Sequence, residues 1–381
     1  MNRKIFNRGK QWLMLLFFSA FILPCCLAQD FYLLIGTYTG TGSKGIYVYK
    51  FNAATGKAAW VSNTDSIVNP SFLAVHGDHL YAVNETGRAR PGKVSSFFFD
   101  KKSGSLRFLN AQYTGGDNPC HLAVSADGKW LTVANYSGGN LSALPINKDG
   151  SLNPYAQLIQ HAGKSINERR QKQAYVHQTV FSADNNYLFT PDLGLDQVMV
   201  YTFNPEAENP LSPASPPYIA VAPGSGPRHL VISPNKKFAY LINELSGMAI
   251  AYSYADGVFS KIQELPTHPQ GFTGSIDGAE IDVSPDGKFL YTSQRGDENL
   301  LSVFRINART GKLKLKGHQP VLGKGPRNFT IDPTGNYMLV ANQDSDNIVI
   351  FHRNKRSGLL TATGDEIKMP KPVCLLMTPV Q

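Results

Sequence analysis

Cysteine is scarce in this chain of 381 residues. Of its four cysteines, Cys25 and Cys26 stand side by side near the start, leaving Cys120 and Cys374, each inside an apolar run. A disulfide-stapled scaffold is therefore excluded, and the latter two read as buried thiols. No Cys-x-x-Cys or His-Glu-x-x-His pattern occurs, so no metal ligand set can be read. Charge is also thin, at 17% of residues. The formal net charge is +9, but Arg3, Lys4, Arg8 and Lys10 lie ahead of the first apolar run. What remains is modest and marks no face for nucleic acid. Beyond residues 12–27 no apolar stretch keeps a 3.6 period for ten residues, which excludes long helices. Gly-x-Ser-x-Gly is absent, so a serine-hydrolase elbow is unsupported. Gly40-Thr-Gly42-Ser-Lys-Gly45 fits a dinucleotide-binding pattern, but that site needs a helix next. Here the β-patterned Ile46-Tyr-Val-Tyr-Lys-Phe51 follows, so the segment reads as a hairpin loop and no cofactor is expected. Asp344-Ser-Asp346 falls far short of a calcium site and reads as a turn.

The N-terminal basic residues followed by the apolar run 12–27 have the form of a secretory signal peptide. The run is too short to favour a permanent transmembrane helix. Cys26-Leu-Ala28 before Gln29 resembles a signal peptidase site. Leu23-Pro-Cys-Cys26 offers a lipoprotein-like alternative, with lipid on Cys25 or Cys26. The expectation is a signal peptide over 1–28 and one exported domain over 29–381. Its only membrane contact would be through such a lipid, and it would be periplasmic or extracytoplasmic and monomeric.

What is abundant is glycine (34), proline (24) and a repeated phrase. A small residue and often proline open an apolar run. A Ser-Asp-Gly-type turn follows, then a second apolar run ending in Asn or Asp. Copies begin at Asn69, Asn118, Tyr175, Gly226, Gly278, Gly325 and Lys371, about every 50 residues. Each copy yields four strands, the period of a β-propeller blade. A second family of turns ends in glycine, as in Asn52-Ala-Ala-Thr-Gly56, Asn307-Ala-Arg-Thr-Gly311 and Asn354-Lys-Arg-Ser-Gly358, where glycine supplies the positive φ of a hairpin bulge. After Gly358 the chain makes one outer and one inner strand and stops, while residues 32–61 supply three. The reading is an all-β, seven-bladed β-propeller whose N-terminal strands pair with the C-terminal strand to close the ring. Residues 163–174, rich in charge, and 204–217, rich in proline, read as loops over a face of the disc.

Residues that break the repeat are candidates for chemistry. Glu85, Glu244 and Arg295 follow second strands, Arg228 opens an inner strand, and His177 sits within one. These positions line one rim of a propeller's channel, so His177, Arg228, Glu244 and Arg295 can converge. A histidine and a carboxylate supply acid and base, and two guanidiniums supply anion or oxyanion binding. The competing reading is a set of buried ion pairs locking blade to blade.

Gly226-Pro-Arg-His-Leu with Asn243-Glu-Leu245 resembles the lactonase seven-bladed propeller family, which holds propeller-type 6-phosphogluconolactonases and carboxy-cis,cis-muconate lactonising enzymes. Ile35-Gly-Thr-Tyr, Asn69-Pro-Ser, Tyr81-Ala-Val-Asn-Glu85, Ala134-Asn-Tyr-Ser-Gly-Gly139, Asp192-Leu-Gly194 and Arg327 in Gly-Pro-Arg extend the resemblance over the mature chain. It implies His177, Glu244, Arg228 and Arg295 as catalytic residues, with Tyr175, Glu85, His229, Asn243 and Arg327 around the substrate. The implied activity is metal-independent hydrolysis of a sugar δ-lactone such as 6-phosphogluconolactone. Lactonisation of an unsaturated diacid and a non-catalytic envelope binding platform are the alternatives. Many members read His-x-His where this chain has Tyr175-Val-His177. A tyrosine can donate a hydrogen bond there but does not take a proton at neutral pH.

Overall fold

Each repeat folds as four antiparallel strands because its apolar runs alternate with turns that reverse the chain. In the computed structural model, which describes residue 1 and residues 30–380 except positions 41 and 88, these form seven four-stranded sheets. The signal peptide expected over 1–28, with Cys25 and Cys26, lies outside the described residues apart from Met1. No α-helix occurs among them.

The last blade is composite. Its sheet takes the C-terminal strand Pro372–Pro379 as the innermost member, then Asp30–Thr37, Tyr47–Asn52 and Lys57–Asn63. The register runs from Phe31 opposite Pro379 to Thr37 opposite Pro372. The ring therefore closes between the two ends of the chain.

The core lies between blades. Phe289, Tyr291, Leu301 and Val303 of one sheet pack on Phe329, Met338, Val340 and Phe351 of the next. The glycine turns serve this packing. Gly358 has φ +78, and a Cβ there would come 2.3 Å from the Phe289 ring of the preceding blade. Its carbonyl accepts a hydrogen bond from Tyr291 Oη at 2.7 Å. Only glycine satisfies both the left-handed backbone and the close approach. Cys120 and Cys374 are free and buried.

Two segments depart from the sequence reading. Residues 204–217, expected as a loop, contain the start of the outermost strand Leu211–Ala220. An outer edge tolerates Pro213, Pro216 and Pro217 because one side of it owes no ladder hydrogen bonds. The inner strand expected after Tyr175 shrinks to Val180–Phe181, with an isolated bridge from Val176 to Asp192. The His177 amide still donates to the Pro191 carbonyl at 2.9 Å, while Gln178 and Thr179 belong to no strand.

Candidate functional site

Five inner strands carry a register shift at their start: Pro119–Val124, Pro227–Ile232, Gly278–Val283, Pro326–Ile331 and Pro372–Pro379. An extra residue in a ladder lets neighbouring side chains escape strict alternation. In Gly226-Pro-Arg-His, consecutive Arg228 and His229 thus both reach the channel, and both are buried, at 2% and 3% exposure.

Glu244 is the hub. Its Oε2 accepts from Arg228 Nε at 3.0 Å and from Arg295 Nη2 at 3.0 Å, and His177 Nε2 stands 3.9 Å away. Its Oε1 accepts from Arg170 Nη2. The carboxylate is 4% exposed and His177 5%. The four residues read from the sequence as catalytic are thus brought together from three blades. Arg295 is held in turn by Asp277, with Nη2 2.7 Å from Oδ1, and Arg228 Nη1 donates to the Ala279 carbonyl at 2.6 Å.

The electrostatics follow from this crowding. Burial works to raise the Glu244 carboxyl, but Arg295, Arg228 and Arg170 outweigh it and hold its pKa at about 2. Burial, reinforced by Arg228 and His229, pushes His177 well below its ordinary 6.5, so the imidazole is neutral at pH 7. Its Nδ1 is buried and has no partner among the described residues. Burial, with Arg295 beside it, lowers Arg228 to about 10.

The surrounding residues fall into three groups. Tyr175 stacks on Tyr136 with ring centroids 4.9 Å apart, and Tyr136 meets His177 edge-on at 5.4 Å. Asp192 positions this segment: its Oδ1 accepts from the Tyr175 and Gly194 amides, and its Oδ2 meets His161 Nδ1 at 2.7 Å. Across the mouth, Tyr38 donates to Glu85 Oε2 at 2.8 Å, and the Arg327 guanidinium lies 5.7 Å from the Tyr38 ring centre. One layer deeper, His229 Nδ1 pairs with Glu280 Oε1 at 2.8 Å, and Glu280 Oε2 accepts from Asn328. Asn243 is fully buried and its side chain has no partner among the described residues. Its counterparts Asn84, Asn135 and Asn342 each donate to a carbonyl of the linker that leads into their blade.

Ser71, Cys120, His177, Arg228 and Arg327 border a narrow space at this end of the channel. A wider recess of about 550 Å³ opens at the other end, lined by Gln178, Asp282 and Thr330 among others. No group of three or more His, Cys, Asp or Glu is arranged to hold a metal ion among the described residues.

Residues 32–377 match the family model described as lactonase, 7-bladed beta-propeller. This chain belongs to that family. Among relatives of this lactonase-family protein, the 6-phosphogluconolactonase of Formosa agariphila is 39% identical over 339 residues, covering 88% of this chain and 96% of the relative. The 6-phosphogluconolactonase of Bacillus subtilis is 33% identical, covering 90% and 96%. The solved structure of Pseudomonas aeruginosa periplasmic gluconolactonase is 37% identical with TM-score 0.88, covering 92% of this chain and all of that one.

Sequence reasoning missed Arg170, Asp277, Tyr136 and Glu280 as neighbours of the candidate site. Asp277 and Glu280 flank the Gly278-Ala repeat start, where the usual proline is missing, and that break was their signal. Arg170 arises from the charged insert, where no spacing rule points inward.

Proposed function

We propose that this protein is a metal-independent hydrolase that opens a sugar δ-lactone. The observation that carries the reading is the convergence of neutral, buried His177 on a carboxylate held by Arg228 and Arg295. Water attacks the lactone carbonyl carbon, and His177 Nε2 takes a proton from it. Glu244, 3.9 Å away, steadies the imidazolium. The carbonyl π pair moves onto oxygen, where Arg228 and Arg295 donate. Both guanidiniums keep N–H groups beyond those spent on Glu244, Ala279 and Asp277. The oxyanion then collapses, the ring C–O bond breaks, and His177 returns the proton to the departing ring oxygen. Lactone and water become a hydroxy acid. Glu85, Tyr175 and Arg327 border the mouth where the sugar's hydroxyls would sit.

The names of the two 6-phosphogluconolactonases and the periplasmic gluconolactonase support a sugar lactone as substrate. The periplasmic relative and the basic-then-apolar N-terminus support export. The test is a lactone panel with purified protein. Hydrolysis above the spontaneous rate supports the reading, and no acceleration of any sugar lactone sinks it.

A further inference from the structure

Three guanidiniums on one carboxylate is more than a catalytic pair requires, and the third differs from the others. Arg228 and Arg295 sit on blade strands or their ends and share Oε2. Arg170 comes from the charged insert and has Oε1 to itself among the described residues. Its side chain is 44% exposed, against 2% for Arg228 and 15% for Arg295. It also lies near Tyr136 Oη, at 3.4 Å.

The loop that bears Arg170 is fixed rather than loose. Asn167 Oδ1 caps the amides of Arg169 and Arg170. Gln171 is fully buried, and its side-chain amide donates to the Leu193 carbonyl at 2.8 Å. Ser165 Oγ bonds to Asp196 Oδ2. The backbone at position 170 is therefore held, while the guanidinium reaches inward from the mouth. It caps the Glu244 oxygen that the strand arginines leave unclaimed.

At the same mouth, Arg327 makes no ion pair or hydrogen bond among the described residues. Four guanidiniums, Arg170, Arg228, Arg295 and Arg327, thus stand at this end with three carboxylates, Glu244, Asp277 and Glu85. The arrangement has room for one further negative group, brought by the ligand.

We infer that Arg170 is a specificity-determining cap, displaced from Glu244 by substrates that carry an anionic substituent. Such a lactone gives Arg170 a new partner, a phosphate or a carboxylate away from the reacting carbonyl. Oε1 is then freed to accept a substrate hydroxyl. A neutral lactone offers no replacement, so the cap stays in place. The inference rests on the lactonase reading above.

The experiment compares wild type, Arg170→Ala and Arg170→Lys on three lactones: neutral gluconolactone, 6-phosphogluconolactone and a glucaric acid lactone with a free carboxylate. A charge-assisted hydrogen bond is worth a factor of about 10 to 10². Arg170→Ala is expected to lower kcat/KM for an anionic lactone by that factor, chiefly through KM. The same change is expected to lower kcat/KM for gluconolactone by a smaller factor, since a neutral lactone takes no charge-assisted bond from Arg170 and loses only that arginine's support of Glu244. Arg170→Lys recovers part of the loss. An effect on the phosphorylated lactone alone assigns phosphate, and an effect on the glucaric lactone alone assigns carboxylate. Equal losses on charged and neutral lactones, or no loss on either anionic one, overturn the inference while the lactonase reading stands. If wild type hydrolyses no lactone, both fall together. Melting temperatures of the variants separate a folding defect from a binding one, and Arg170→Gln serves as a second variant if the alanine form is unstable.

Discussion

Replacing Glu244 by glutamine is the most informative single perturbation of this fold. It keeps the shape and removes the charge, leaving Arg228 and Arg295 against a neutral amide. Arg228 is 2% exposed, so its charge cannot be rehydrated without opening the channel. Removing one partner of a buried ion pair costs about 3–5 kcal/mol. A second route gives a similar size. A carboxyl lowered from 4.5 to about 2 contributes about 3 kcal/mol of stability at neutral pH. Because the folded pKa lies below the unfolded one, that stability is present above pH 4.5 and is lost as pH falls toward 2. Arg228 keeps the Ala279 carbonyl and Arg295 keeps Asp277, so the lower end of the range is expected. The assay is urea denaturation of wild type and Glu244→Gln at pH 7 and pH 3. A gap of about 3 kcal/mol at pH 7, shrinking by about half at pH 3, supports the reasoning. No gap at pH 7, or one that does not change with pH, refutes it. On this reasoning the proposed place of Glu244 in catalysis and the reading of it as a blade-to-blade lock are not rivals, since one burial underlies both.

Deleting residues from Lys371 onward removes the innermost strand of the closing blade with buried Val373 and Leu375, each worth about 1.5–3 kcal/mol. The truncated protein is expected to melt early or aggregate, and an unchanged Tm would contradict the closed ring. In Gly194→Ala the new Cβ would lie 1.8 Å from the Gln173 carbonyl oxygen, just before Tyr175 and His177. A cost of about 1–3 kcal/mol and reduced turnover are expected, and an unaltered Tm and kcat would show that the segment yields freely. With His177 pushed well below 6.5, kcat/KM is expected to stay flat from pH 7.5 to below pH 6.5 before falling in acid. A fall centred above pH 6.5 would remove His177 as the base. Dialysis against EDTA is expected to leave kcat/KM intact, and loss restored by a divalent cation would rule out a metal-independent reaction.

The architecture was legible because the repeat is written in proline, apolar runs and glycine turns, which act locally. Even the composite blade followed from counting strands at each end. Seeing Arg228 beside Glu244 was also within reach, since Pro-Arg-His and Asn-Glu interrupt an otherwise apolar pattern. Residues placed by tertiary hydrogen bonds were not legible. Arg170 reaches Glu244 from a loop held by Asn167, by Ser165 on Asp196 and by buried Gln171 on Leu193, a partner 22 residues away. The prolines of 211–220 signalled a loop, yet an outermost strand accepts them.

The central claim is that His177 and its arginine-bound glutamate open a lactone ring. The direct measurement is hydrolysis of gluconolactone and 6-phosphogluconolactone by purified wild type and His177→Ala, with circular dichroism on the same samples. Wild type is expected to exceed the spontaneous rate, and folded His177→Ala to lose about 10²-fold or more of that acceleration. A folded His177→Ala protein that hydrolyses both lactones at the wild-type rate would contradict it.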